Sequence, residues 1–248
     1  MAHRSERWQV LDEVASTNDT VHAAAERGEP EGVIYVARRQ TAGRGRAGRS
    51  WWSPDGAGLW MTLLLRPHLP ACVSPGLSLV AGRAVKDALD PLVRSPIELE
   101  WPNDLSVEKR KLGGILGELR CRGENYWIAL GVGINIDLRA VDRPDTLKGT
   151  TISLSELGSN ALEPLELGAR ITATFWPLYD RYQNGERLSD LVGTQLARVG
   201  SLATITVSPT DVFDGHVTGL GERGELLVGT ADGTVRAIAA GDVVYHSD

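Results

Sequence analysis

The sequence predicts an α+β chain: a larger unit of mixed strands and helices, followed by a small all-β unit. Three observations predict it. Up to about residue 182, β-branched runs are interleaved with stretches whose apolar residues recur at helical spacing. After Gly200 short strands punctuated by Gly and Asp take over, the texture of a small barrel or sandwich. The length, 248 residues, suits one large domain with an appendage and supplies a real core. The boundary is expected near Leu196–Gly200, dividing the chain into residues 1–197 and 198–248.

Trp8–Val14 reads as the first strand. Ser16-Thr17-Asn18 then offers N-cap side chains to a short, Ala-rich helix through Arg27 that ends near Gly28. Val33–Ala37 is β-branched and reads as a buried strand, and Leu59–Leu65 as another. Pro75–Leu92 carries Leu77, Val80, Ala81, Ala84, Val85 and Ala88 on one helical face. Ile97–Trp101, Lys111–Leu119 and Trp127–Ile136 are strands, the first two joined by a polar turn around Ser106–Arg110. Thr151–Leu157 and Pro164–Tyr182 look helical, the second through Leu167, Ile171, Phe175, Leu178 and Tyr182. The strands of the last unit are Leu202–Val207, Val212–Leu220, Glu225–Val228, Val235–Ile238 and Val243–Tyr245.

Composition narrows the function classes. With 42% hydrophobic and 23% charged residues the chain is not globally disordered. Its 26 basic and 32 acidic residues leave a net charge of -6, which disfavours a protein that coats nucleic acid. Cys72 and Cys121 lie far apart and in no metal-ligand spacing, so neither a disulfide framework nor a structural zinc is expected. A reduced, cytoplasmic chain fits: Met1–Trp8 lacks the apolar run of a signal peptide. No stretch approaches the roughly 18 apolar residues of a membrane span.

The segment from Arg38 to Gly58 is too long and too glycine-rich for a simple connection. Between Arg38 and Pro54 stand five arginines (38, 39, 44, 46 and 49) and no acidic residue. Glycines 43, 45 and 48 let the backbone approach a ligand closely. The guanidinium forks between them match phosphate oxygens two at a time. One charge pair at about 4 Å is worth ~4 kcal/mol at an effective dielectric of about 20, so two or three would hold a nucleoside triphosphate. Gly43–Gly48 and Gly219–Gly224 both fit GxGxxG, but neither opens a helix, which a dinucleotide site requires. No P-loop is present. The competing reading is an Arg/Gly nucleic-acid-binding segment, against which stand the flanking buried strands and Trp51-Trp52.

The loop resembles the glycine- and arginine-rich loop of biotin–protein ligases. Further motifs match in the family's order: Ser16-Thr17-Asn18, Trp101-Pro-Asn-Asp104, Lys111-Leu-Gly-Gly-Ile-Leu116 and Gly131-Val-Gly-Ile-Asn135. The resemblance runs from about Trp8 to the C-terminus. It implies a catalytic domain like that of class II aminoacyl-tRNA synthetases and a C-terminal SH3-like barrel. It also implies ATP-dependent adenylation of biotin, then transfer to one lysine of the biotin carboxyl carrier domain of a carboxylase. Mg²⁺ is expected to arrive with ATP, with no dedicated metal site.

Biotin combines an apolar bicycle, a polar ureido edge and a carboxylate tail, and each ureido group buried without a partner costs ~1–3 kcal/mol. The resemblance assigns that edge to Ser16, Thr17 and Gln40, whose other reading is capping and turn chemistry. It assigns Arg44 and Arg46 to the biotin tail and phosphates, and Trp51 to an apolar wall, a core Trp being the alternative. Lys111, one of four lysines, lies in an otherwise apolar and glycine-rich strand. It is expected to hold the carboxylate against the α-phosphate. Gly113 and Gly114 allow close approach of that strand. Asn103 and Asp104 point into a cleft; Asp104 orients the adenylate, binds Mg²⁺ or accepts a proton from the incoming lysine. Asn18, Gly43, Gly45, Gly133 and Asn135 complete the implied substrate-binding set, with Lys111, Arg44 and Asp104 as the catalytic groups.

Two positions depart from the family pattern. Ala47 replaces a basic or polar residue, and His246 stands where some relatives carry Arg in the closing strand. The Ser-Thr-Asn motif begins at residue 16, so a ligase without an N-terminal helix-turn-helix, and without operator binding, is expected. A lipoate–protein ligase shares the related fold and is the nearest alternative, although its dithiolane substrate needs no Ser/Thr/Gln set.

Overall fold

A computed structural model describes residues 6–71, 75–123, 125–159 and 163–246. The larger unit is built on a seven-stranded sheet of β1 (Arg7–Val14), β2 (Val33–Gln40), β3 (Gly58–Leu65), β4 (Glu98–Glu100), β5 (Asp104–Val107), β6 (Arg110–Arg122) and β7 (Asn125–Asn135). The spatial order is β1-β2-β3-β7-β6-β5-β4. Only the β1–β2 pair is parallel; the crossover between them is α1 (Thr17–Glu26).

Both faces of the sheet are covered, which explains why the Gly58–Leu65 run is buried throughout. Alternate residues of β3 go to opposite sides. Leu59, Met61, Leu63 and Leu65 join the main core with α2 (Pro75–Leu89) and α3 (Pro164–Gln183). Leu64 packs with Val21 and Ala25 of α1, Val33, Trp127 and Ala129. Because α1 is only ten residues long, it leaves the far half of its face of the sheet open. There β7 presents Gly131, Gly133 and Asn135, alternating with core residues Leu130, Val132 and Ile134.

The second unit is a five-stranded antiparallel sheet of β8 (Leu202–Ser208), β9 (Asp211–Leu220), β10 (Leu226–Gly229), β11 (Val235–Ile238) and β12 (Asp242–Tyr245), ordered β11-β10-β9-β8-β12. It is SH3-like, but the expected barrel does not close: β11 and β12 remain edges. Its inward residues Ala203, Ile205, Val217, Leu226 and Val228 belong to the main core, so the two units pack as one body.

Other expectations need correction. The polar turn around Ser106–Arg110 shrinks to Glu108 and Lys109, both at positive φ (52° and 63°), and a short strand, β5, precedes it. Tight hairpins of this kind need positive φ at both central residues. The helix expected over Thr151–Leu157 is a single 3₁₀ turn at Leu154–Leu157, started by a Ser153/Glu156 capping box. The helix expected through Leu92 stops at Leu89, and a 3₁₀ turn over Asp90–Leu92 with Pro91 inside it follows. A five-residue helix, α4 (Leu188–Val192), was not expected. Cys121 is a free, exposed thiol; Cys72 lies outside the described residues.

Candidate active site

The open half of the sheet floors a cavity of about 1020 Å³. One end is walled by the β1–α1 turn and the end of β2, and the roof is the loop between β2 and β3. The far wall is the β4–β5 turn together with the β8–β9 turn and β12 of the second unit. Of the residues expected from the sequence, Ser16, Thr17, Asn18, Gln40, Arg44, Gly45, Arg46, Trp51, Asn103, Asp104, Lys111, Gly114, Gly133 and Asn135 all line it. Gly43 and Gly113 do not, and packing explains both glycines. A Cβ at Gly43 would stand 2.5 Å from the Trp51 carbonyl, and one at Gly113 would stand 2.7 Å from the Gly133 carbonyl.

The floor works because of a cross-strand glycine pair, Gly114 opposite Gly133. The Trp51 indole lies over it: a Cβ at Gly133 would come within 2.8 Å of Trp51 Cε2 and Nε1. Trp51 is therefore a wall of the cavity, set edge-on to Trp60 at 6.4 Å. Beside it Lys111 Nζ lies 5.3 Å from the indole centroid and is 2.6 Å from Asp104 Oδ2. Asn103 reaches back to the Ile115 carbonyl at 2.7 Å, fixing the turn after the cis Trp101–Pro102 peptide. Asn135 Nδ2 donates to the carbonyls of Lys111 and Ile152, bracing the start of β6 against the segment that follows β7.

At the β1–α1 end, Gln40 Oε1 accepts the Thr17 main-chain N–H at 2.8 Å, while its Nε2 donates to Ser53. Ser16 occupies the N-cap position but makes no capping bond, leaving its hydroxyl to the cavity. The capping alternative therefore fails for Ser16.

The arginine loop is not the bare positive patch its composition suggests. Arg38 pairs with Asp55, Arg39 with Glu13, Arg49 with Asp242, and Arg44 with both Asp19 and Glu118. The Arg44 fork is engaged on both edges, at 2.7 and 2.9 Å to Asp19 and 3.0 and 3.2 Å to Glu118. Its carboxylate partners raise its pKa further. Among the described residues Arg46 makes no carboxylate ion pair. Its guanidinium donates to the Gly241 carbonyl at 3.3 Å and sits 5.6 Å from the Trp101 ring, and burial lowers its pKa.

The Arg/Gly loop, the bare glycine floor and a Lys–Asp pair over a Trp form one constellation. The family described as "Biotin/lipoate A/B protein ligase family" matches residues 11–135. The chain belongs to this family.

It is 30% identical over 247 residues to the biotin–[acetyl-CoA-carboxylase] ligase of Mycobacterium tuberculosis, covering 96% of this chain and 90% of that one. It is 33% identical over 236 residues to the bifunctional ligase/repressor BirA of Bacillus subtilis, covering 94% and 72%. The biotin protein ligase of Aquifex aeolicus, solved with biotin and ATP, superposes with a TM-score of 0.81 at 26% identity. That match covers 98% of this chain and all of the other.

Within this ligase fold the structure adds Glu100 and Tyr245, which the motifs did not reveal; with Trp101, the first residue of the Trp-Pro-Asn-Asp motif, they line the far wall. Trp101 Nε1 donates to the Gly224 carbonyl at 2.8 Å, locking the β4–β5 turn to the second unit. Burial pushes the Tyr245 hydroxyl up to about 12. His246, by contrast, turns to Thr204 at 2.8 Å and does not line the cavity. Glu118 and Thr62 lie behind the Ser16–Gln40 end. His22, Arg44 and Asn18 hold the Glu118 carboxyl well below the usual carboxylate range.

Proposed function

We propose that the chain activates biotin with ATP to biotinyl-5'-AMP and transfers biotin to a lysine of a biotin carboxyl carrier domain. The observation that carries this reading is the cavity's division of labour. Ser16, Thr17 and Gln40 form a hydrogen-bonding end, the Trp51 indole an apolar wall, and Lys111 with Arg46 a cationic centre. Biotin has the same three parts in the same sequence.

The bicycle lies on the Gly114–Gly133 floor with its ureido edge at Ser16, Thr17 and Gln40. The carboxylate reaches Lys111, whose point charge draws it to the α-phosphate and offsets charge growing there. A carboxylate oxygen attacks the α-phosphorus in line, and the bond to the departing pyrophosphate breaks. The phosphate contact falls to Arg46 rather than Arg44, because two carboxylates already neutralise Arg44. ATP is a substrate and Mg²⁺ enters with it; no cluster of three or more metal-ligating side chains exists among the described residues.

In the second half-reaction the carrier lysine attacks the activated carbonyl, forming the amide and releasing AMP. Such a lysine has a pKa of ~10.4 and arrives protonated; Asp104, 2.6 Å from Lys111, is placed to receive that proton or to orient the adenylate. Positioning alone can supply up to ~7–11 kcal/mol of the barrier. The second unit, taken as residues 198–248, closes the far end through Arg46–Gly241, Arg49–Asp242 and Trp101–Gly224.

With four of its five loop arginines ion-paired, the chain offers no free basic loop to a nucleic acid, which supports a nucleotide over a polymer as its partner. No helix among the described residues is long and apolar enough to cross a membrane. Intact-mass analysis of a carrier domain incubated with the chain, biotin and Mg-ATP tests the reading. One biotinyl adduct per carrier is expected. No adduct with biotin, or a lipoyl adduct instead when lipoate is supplied, overturns it.

A further inference from the structure

Behind the Ser16–Gln40 end runs a hydrogen-bond chain, half-buried at Glu118 and buried at Asn18 and Thr62, that the reaction above does not use. It starts at Glu118. Trp127 Nε1 donates to His22 Nδ1 at 3.0 Å. The opposite ring nitrogen, Nε2, lies 3.5 Å from Glu118 Oε2. Asn18 Nδ2 donates to the same oxygen at 2.9 Å.

A carboxylate has no proton to offer, so the Asn18 amide has one orientation, Nδ2 toward Glu118 and Oδ1 away from it. That Oδ1 lies 2.7 Å from Thr62 Oγ1, which is also 2.7 Å from Thr17 Oγ1. Thr62 brings a single proton to these two short contacts. Asn18 Oδ1 brings none and takes it. The remaining contact needs a proton too, and only Thr17 can supply one. The order is therefore fixed: Thr17 donates to Thr62, Thr62 to Asn18, and Asn18 to Glu118.

Thr17 thus turns its proton inward and faces the cavity with lone pairs only. Gln40 Oε1, 3.1 Å from the same hydroxyl, is served instead by the Thr17 main-chain N–H. Thr62 is 0% and Asn18 4% exposed, so water does not stand in for either. Gly131 keeps the chain in place, since a Cβ there would stand 2.5 Å from Asn18 Oδ1.

We infer that Thr62 and Asn18, oriented by Glu118, are positioning residues that make the Thr17 hydroxyl an obligate acceptor, so that the cavity selects a ligand presenting a ring N–H at that point. The inference rests on the biotin reading, in which that N–H belongs to the ureido edge. It excludes a ligand of the same shape that presents a lone pair there.

The test is titration calorimetry and pyrophosphate release with biotin and with its cyclic carbamate analogue, in which oxygen replaces one ureido N–H; both regioisomers are used. The parent chain should prefer biotin by roughly 30- to 100-fold over the isomer that puts oxygen at Thr17. Thr62→Val frees the Thr17 proton to turn outward, and the preference should fall below about tenfold. Thr62→Ser should restore it, with the KM for ATP unchanged throughout. A merely structural role would weaken both ligands alike. If biotin binds but Thr62→Val leaves the ratio intact, the inference alone fails. If the parent binds neither ligand, the biotin reading fails and takes the inference with it. Should Thr62→Val not fold, the parent decides: a preference under threefold overturns the inference, and the full preference with rescue by Thr62→Ser supports it.

Discussion

Replacing Gly133 by Ala tests how the floor of the cavity works. Gly133 is an ordinary strand position between Trp60 of β3 and Gly114 of β6, so the backbone accepts a Cβ. The indole does not. The new methyl would lie 2.8 Å from Trp51 Cε2 and Nε1 and 3.0 Å from Cζ2, whereas unstrained carbon contacts lie at ~3.5–4.0 Å. A rigid ring has no flexible end to move, so the whole indole must retreat by about 0.7 Å or more. Its retreat is opposed by the bond from the Trp51 main-chain N–H to the Gly43 carbonyl at 2.8 Å, which holds the residue's backbone, and by the edge contact with Trp60. Overpacking of this kind costs ~1–3 kcal/mol, a factor of about 5–150. The roof loop around Ala47–Ser50 is largely exposed and yields before the sheet does, so the loss should appear at the biotin site. We expect kcat/KM for biotin in pyrophosphate release to fall at least about tenfold, with the thermal midpoint little changed. Gly114→Ala is the internal comparison: its Cβ would meet Trp51 at an ordinary 3.6 Å and Asp104 Oδ1 at 3.2 Å, so its loss should be smaller. Equal losses in the two variants, or a Gly133→Ala chain within twofold of the parent, would refute the reasoning.

Lys111→Met should slow single-turnover adenylate formation by roughly 10²–10³, and a rate within threefold of the parent would remove Lys111 from the chemistry. Arg46→Met should lower kcat/KM for ATP by about 10² or more. Arg44→Met should instead loosen the loop, raising the biotin KM and exposing Gly43–Ser50 to limited proteolysis; the reverse assignment of these two phenotypes would contradict the charge pairing. Glu118 titrates below its unfolded value in the folded chain. Its stabilisation is therefore complete above the unfolded carboxyl value of ~4.3 and lost as pH falls toward the depressed folded value. Urea midpoints of the parent and Glu118→Gln should accordingly differ at pH 7 and converge below about pH 4; a gap that widens in acid would contradict this.

The loop, its glycines and the Lys111 strand were legible because glycine and arginine in one short run carry a chemical meaning that does not depend on partners. What surrounds them was not. Asp19, Glu118 and Asp242, which neutralise Arg44 and Arg49, lie 25, 74 and 193 positions away from the arginines they meet, so counting charges overstated the loop's free positive charge. Thr62 was hidden inside an apolar strand, where a single hydroxyl reads as tolerated rather than used. Glu118 alternates with apolar neighbours as a solvent-facing strand residue does, yet its carboxylate turns toward Asn18 and Arg44. The expected polar turn around Ser106–Arg110 takes in Ser106 and Val107, the second half of β5, because the Glu108–Lys109 pair that actually turns lacks the Asn-Gly signal of a tight hairpin. The open edges of the second sheet were not legible, because β11 and β12 are each four residues long, as is β10, which is paired on both sides.

The most direct test of the central claim, that this cavity activates biotin, is a single-turnover measurement without a carrier. The chain is mixed with Mg-ATP and either biotin or lipoate, and pyrophosphate is followed in time. The account predicts a burst of one pyrophosphate per chain with biotin, accompanied by bound biotinyl-5'-AMP, and none with lipoate. A burst with lipoate alone, or ATP consumption that does not depend on biotin, would contradict it.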